Sequence, residues 1–257
     1  MLFLVTNDDG YLAPGLRSLS GALEELGEVV VVAPDREQSA TSHSLTLHHP
    51  LRVRQTADNR YHVDGTPTDC VMLAVNAILG RRPDYVFSGI NHGGNMGEDV
   101  SYSGTVSAAM EGTLLGIPSV AVSLVHANEE WLEGYGHVVR RLARMIVDEP
   151  RQTLFPSDTL LNVNLPDRHP DTIEGVRITT LGKRVYSDPV LTDKDPRGKT
   201  YYWIGGGEPT WEGPEEADYR AVERGYISIT PVHLDLTNHR VIPHLKKWES
   251  FPLQGGA

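Results

Sequence analysis

Apolar and polar positions alternate between two spacings along the first third of the chain. Residues 2–5 are an unbroken apolar run, leucines follow at 16, 19, 23 and 26 after Pro14, and residues 28–33 read EVVVVA. A short continuous run bounded by turn residues fits a strand covered on both faces, whereas spacings of three and four fit a helix with one apolar side. Gly27 then stops that helix. Strand, helix and strand within 33 residues make a βαβ unit with parallel strands and a right-handed crossover.

The same reading extends down the chain. Residues 45–64 alternate apolar and polar side chains and predict an extended excursion or hairpin. Thr66, Pro67 and Asp69 have the spacing of an N-cap, a first-turn proline and a near capping box, so a helix is expected to about residue 79. Residues 84–88 and 117–124 predict two more core strands, the first running into a loop at 89–97. A helix is expected over 129–147, with Trp131, Val138, Leu142 and Met145 inward. Past residue 150 the character changes. Short strands are expected at 160–165, 176–180 and 224–230, an irregular aromatic-rich stretch at 186–218, and a strand, loop and helix over LDLTNHRVIPHLKKW. The pattern predicts an α/β fold with a mainly parallel sheet. Residues 1–150 form its catalytic core, and 151–257 continue that core and add a smaller C-terminal β-rich region within one structural domain. Aromatics in an irregular segment suggest a subunit contact or a substrate wall.

Composition narrows the classes of function. Hydrophobic residues make up 39% and charged residues 22%, as in an ordinary soluble domain. A net charge of −11 with no basic stripe argues against binding nucleic-acid polymers or acidic membranes. The first lysine is Lys183, so an anion bound by the first half must be met by a metal, by backbone N–H groups or by arginines such as Arg36. One cysteine, Cys70, excludes an internal disulfide, and no signal-like or membrane-length apolar run is present; a cytoplasmic setting is expected.

Candidate chemistry clusters after the strands. The first apolar run stops at Asn7-Asp8-Asp9-Gly10. In an open α/β sheet, ligands bind outside the carboxyl ends of the strands, so Asp8 and Asp9 suit a hard cation, or else a solvated turn capping the next helix. The loop after the second strand places Ser39 near the same end, as a ligand or an ordinary loop serine. His48 and His49, as strand neighbours, point to opposite faces and make poor joint ligands. Residues 89–97 hold four glycines, and Ser103-Gly104-Thr105 opens a helix. Free N–H groups there make either an anion site or simple caps.

The segments NDDGYLAPG, VVAPDREQSATSHSLT, GTPTDCV, SGINHGGNMGEDVSYSGTVSAAMEG and GYISITPVHLDLT, in this order, closely resemble the SurE (survival protein E) family of metal-dependent nucleotidases. The resemblance implies a Rossmann-like three-layer core and one divalent cation per subunit, Mg²⁺ or Mn²⁺. It implies hydrolysis of nucleoside 5′- or 3′-monophosphates to nucleoside and phosphate, in a homodimer or homotetramer whose C-terminal segment embraces a neighbour. Matched motif by motif, Asp8, Asp9, Ser39 and Asn91 are the metal ligands. Asn95, Ser103, Gly104 and Thr105 hold the phosphate, and Asp8, Asp9 and Asn95 are catalytic, with Asp9 the candidate base. The doubled Gly93-Gly94 is the least ordinary feature against the family pattern.

Other classes fit less well. An aspartyl-nucleophile phosphatase wants Asp-x-Asp, a cysteine phosphatase wants an arginine shortly after its thiolate, and a dinucleotide-binding protein wants G-x-G-x-x-G in the first turn. A non-catalytic nucleotide sensor is the remaining alternative, distinguished by binding without turnover.

Overall fold

The first apolar run becomes the middle of a sheet. The computed structural model describes residues 1–126, 129–185, 190–204 and 210–250. In chain order these form β1 (Leu2–Thr6), α1 (Pro14–Glu24), β2 (Glu28–Pro34), β3 (Val53–Ala57), β4 (Arg60–Val63), α2 (Pro67–Leu73), β5 (Tyr85–His92), α3 (Gly104–Leu114), β6 (Ser119–Leu124), α4 (Glu129–Asp148) and β7 (Thr159–Leu165). There follow β8 (Gly175–Ile178), β9 (Lys183–Val185), β10 (Val190–Lys194), β11 (Thr200–Ile204), β12 (Thr210–Glu212), a short helix Asp218–Glu223 and β13 (Tyr226–His233).

One nine-stranded sheet runs β3-β4-β2-β1-β5-β6-β7-β13-β8. From β4 to β7 every neighbouring pair is parallel, and counted along the chain those six strands stand in the Rossmann order 3-2-1-4-5-6. The order in which strands are added to the sheet reverses between β1 and β5, which makes their carboxyl ends the switch point. Alternation along β1 explains the layering: Phe3 and Val5 pack with Leu16, Leu19, Leu23, Tyr135 and Val139 from α1 and α4. Leu2 and Leu4 face the other way, onto Cys70 and Val71 of α2 and Ala108 of α3. Helices on both faces bury β1 twice over, which is why its sequence shows no polar alternation.

Local differences from expectation have identifiable causes. The capping box at Thr66 and Asp69 is complete, but the helix loosens into a π turn at Ala74–Ile78, where Asn76 donates its side-chain amide to the Met72 carbonyl at 2.8 Å. β5 does not end at residue 88. It shifts register between Ser88 and Asn91 and pairs Asn91 and His92 with Ser123 and Leu124 of β6. Gly89 permits this at a φ of +135°, where a Cβ would collide with the Val122 carbonyl. On α4 the buried stripe is Leu132, Tyr135, Val139, Leu142 and Ile146, while Met145 is exposed. One residue is about 100° of helix, enough to turn Met145 off that stripe.

The C-terminal expectation also changes. No strand forms over 234–240; a short helix Ile242–Leu245 and a 3-10 turn Lys246–Ser250 follow instead. β13 already has β7 and β8 on its two edges, so the chain leaving it has no edge of that strand to join. Within the irregular stretch, residues 186–189 and 205–209 lie outside the described residues. The rest forms two antiparallel ribbons, β10–β11 and β9–β12. The first is exposed along its length, with Trp203 at 66% and Ile204 at 93%. No helix among the described residues is long and apolar enough to cross a membrane.

Candidate active site at the switch point

The turn after β1 is the hub. Asn7, fully buried, donates its side-chain amide to the Gly10 carbonyl at 3.0 Å and so closes the turn on itself. The turn then binds three other elements. The Asp8 carbonyl accepts from the Gln38 amide at 2.7 Å, the Asp9 carboxylate accepts from the His92 amide at 3.2 Å, and the Asp8 carboxylate accepts from the Thr105 hydroxyl. Loop 35–44, β5 and α3 therefore meet at two adjacent acids.

Five of the eight residues singled out in the sequence, Asp8, Ser39, Asn91, Asn95 and Ser103, line one cavity of about 560 Å³. The other three stand behind it. Asp9 is held by His92, and Gly104 packs so closely that a Cβ would lie 2.9 Å from Asp8 Oδ2. Thr105 is fully buried, with its hydroxyl and amide both on Asp8. The Thr105 hydroxyl is thus on Asp8, inside the protein and outside the cavity lining. Ser103 caps α3, accepting from the Val106 amide at 3.1 Å.

Electrostatics mark the acids as unusual. Burial, reinforced by the neighbouring Asp9 charge, pushes the Asp8 carboxyl up to about 6 against the Thr105 hydrogen bonds. Burial also raises Asp9, opposed by the His92 amide. A hard cation beside them would reverse both effects, and the available donors are all oxygens. The Ser39 hydroxyl donates to Glu37 at 2.7 Å, and the Asn91 amide nitrogen donates to the Gly93 carbonyl at 2.7 Å. Each arrangement commits a hydrogen and leaves oxygen lone pairs able to ligate a cation. The described residues contain no group of three or more His, Cys, Asp or Glu suited to a metal, so a cation at Asp8 and Asp9 would draw its further ligands from other oxygens. Two carboxylates, a hydroxyl and an amide fit Mg²⁺ or Mn²⁺ better than a softer ion.

Several participants escaped sequence reasoning. Asn162 and Asn164 on β7 donate to the Asn95 carbonyl at 2.8 and 3.0 Å, and Asn164 accepts from the Asn95 amide at 2.8 Å. Asn95 in turn donates to Ser123 at 2.8 Å. The available signal was TLLNVNL, where asparagines alternate with apolar residues in an otherwise buried strand. The arginine at the cavity is Arg184, paired with Asp99, whereas Arg36 is largely exposed and outside the lining.

A family model described as Survival protein SurE matches residues 3–188. The chain is 55% identical to 5′-nucleotidase SurE of Gemmatimonas aurantiaca, over 98% of this chain and 100% of that protein. It is 53% identical to 5′-nucleotidase SurE of Geobacter metallireducens, over 97% and 98%. The crystal structure of the SurE protein from Aquifex aeolicus superposes with a TM-score of 0.85 at 45% identity, covering 97% of this chain and 100% of that one.

Proposed function

The chain belongs to the SurE family, and from that premise we propose that it is a divalent-metal-dependent 5′-nucleotidase, hydrolysing nucleoside 5′-monophosphates to nucleoside and inorganic phosphate, and 3′-monophosphates as well. The observation that carries this reading is Asp8, a buried carboxylate beside Asp9, facing a cavity at the N-terminus of an 11-residue helix. Its charge is disfavoured until a cation joins it.

Asp8, Asp9, Ser39 and Asn91 would hold one Mg²⁺ or Mn²⁺ per subunit. When bound, such a cation supplies positive charge to the phosphate oxygens and makes water more acidic. Thr105 fixes Asp8 from behind. Gly104 would offer the N–H at the start of α3, and Ser103 its hydroxyl, to the phosphoryl oxygens as charge shifts during displacement, the Ser103 amide being already donated to the Asp99 carbonyl at 3.1 Å. Asn95, immobilised by Asn162, Asn164 and Ser123, faces the same oxygens, and Arg184 adds a fixed positive charge. Asp9, held by the His92 amide and raised by burial, would accept a proton from water where it does not ligate the cation. The exposed β10–β11 ribbon would be covered by a second copy of the chain in a homodimer or homotetramer.

Phosphate release from a panel of nucleoside monophosphates, with and without chelator, tests the proposal. Steady turnover that is abolished by chelation and restored by Mg²⁺ or Mn²⁺ is expected. Full activity in metal-stripped protein would overturn the metal requirement, and stoichiometric nucleotide binding without turnover would favour a sensor.

A further inference from the structure

Ser39 is carried to the acidic cavity by a loop without regular structure. Residues 35–44 form neither helix nor strand, and two of them, Ala40 and Ser42, are left-handed at φ of +56° and +53°. Such a backbone at non-glycine residues persists where its surroundings hold it. Three side-chain bonds stay inside the loop: Ser39 on Glu37, Thr41 on the Gln38 carbonyl, and Ser44 on the Thr41 carbonyl. These shape the loop but do not place it.

Placement comes from bonds to other elements. Before Ser39, the Gln38 amide donates to the Asp8 carbonyl; after it, the Ser42 amide donates to the Tyr102 carbonyl and the Ser44 carbonyl accepts from the Thr66 hydroxyl at 2.8 Å. Those three use the loop backbone. The fourth is made by a loop side chain, His43 Nε2, which stands 2.9 Å from Oε2 of Glu111, a buried acid on α3. A hydrogen bond to a carboxylate is roughly twice as strong as one between neutral groups. Helix α3 is buried along most of its length, and its first turn already grips Asp8 through Thr105. Glu111, about 9 Å further along the axis, grips the loop that carries Ser39. Neither His43 nor Glu111 lines the acidic cavity.

Resting on the reading of Ser39 as a metal ligand, we propose that His43 is its positioning residue: through Glu111 it pins the loop to α3, so that one helix brings both Asp8 and Ser39 to the cavity. Because Nε2 faces a carboxylate, it carries a hydrogen in either charge state of the ring. Any side chain that offers an N–H at the same reach would serve.

Calorimetric titration of Mn²⁺ into the parent and its variants, each well below its unfolding temperature, separates this role from mere support of Glu111. His43→Ala is expected to weaken binding about 10–100-fold, the usual effect of losing a group that orients a ligand, and His43→Gln, which keeps an N–H donor, should recover most of it. In a Ser39→Ala background, His43→Ala should add no further loss, because its effect passes through that hydroxyl. Lowered stability with metal affinity at the parent value would overturn the assignment. So would an undiminished His43→Ala loss in the Ser39→Ala background. If His43→Ala does not fold, His43→Leu combined with Glu111→Leu removes the pin without stranding a buried acid, and the same outcomes decide. A parent that binds Mn²⁺ but releases no phosphate would unseat the nucleotidase reading alone, with the pin still judged by the titrations. A parent that binds no Mn²⁺ would overturn the metal site and this assignment with it.

Discussion

Asp8 is where stability and activity pull apart. Its carboxyl ionises near 6 in the metal-free fold against 3.8 as a free side chain, so between those values the folded chain binds more protons than the unfolded one. Stability therefore declines as pH rises through that window, and above it the fold bears a penalty on the order of 3 kcal/mol. Asp8→Asn is expected to melt higher than the parent at pH 7.5 in chelator and to lose that advantage near pH 4, as followed by thermal unfolding. The same substitution should abolish stabilisation by Mg²⁺ or Mn²⁺, and in the parent metal affinity should drop below pH 6, because binding must displace the Asp8 proton. Thr105→Val removes the hydroxyl from Asp8; metal titration by calorimetry should show affinity reduced by about 10–100-fold, the usual effect of losing a group that orients a ligand. Asp8, Asp9, Ser39 and Asn91 could be singled out because the segments that resemble the family contain them, and the structure brings Asp8, Ser39 and Asn91 to one cavity. Asn162, Asn164 and Arg184 could not be, since their roles exist only once strands some 70 to 90 positions away lie beside the glycine-rich loop.

Elements hold these residues in place, and helix α1 does so with almost no clearance. A Cβ on Gly15 would collide with the Ile90 carbonyl, just before Asn91, whereas one on Gly21 in the same helix would meet nothing within 4 Å. Gly15→Ala should cost about 3 kcal/mol or more by overpacking, and Gly21→Ala should gain roughly 0.5–1 kcal/mol from helix propensity, both read by urea denaturation. The Ser39 loop is largely exposed, and its fixings include Gln38 on the Asp8 carbonyl, Ser42 on the Tyr102 carbonyl at 3.2 Å, and His43 on buried Glu111 at 2.9 Å. His43→Ala strips Glu111 of that partner, and a loss of about 1–3 kcal/mol is expected in the same denaturation series. The strands and helices around these fixings were readable because burial imposes period two or 3.6 on sequence. β5 was misread at its end because its last two pairings depend on a register shift, and register is a property of two strands rather than one.

Across the whole molecule, the sign of charge sets the metal requirement and the order of strands sets what can be removed. With a net charge of −11, the chain has little general attraction for a dianionic substrate, so activity should fall with metal stripping far more than with added salt. Truncation after residue 222 would remove β13 from between β7 and β8 and should unfold the protein. Replacing residues 190–204 by a short Gly-Ser linker removes only the β10–β11 ribbon. Light scattering should then report monomers with near-native thermal stability; an unchanged oligomer would assign assembly to another surface. The parallel core was visible in the sequence, but the interior position of β13 was not, because a single strand carries no mark of its neighbours.

The central place of β1 also has a consequence in time. During synthesis its first partner, β2, is finished by residue 34, its second, β5, only by residue 92, and the Thr105 contact and the Asn164 clamp come later still. At about 5–20 residues per second, the acidic turn waits several seconds or more in water before α3 can close over it. Until then Asp8 stays hydrated and freely ionised, at no electrostatic expense. Vectorial emergence thus keeps the unfavourable burial of Asp8 out of every shorter intermediate and defers it until the finished sheet can bear it.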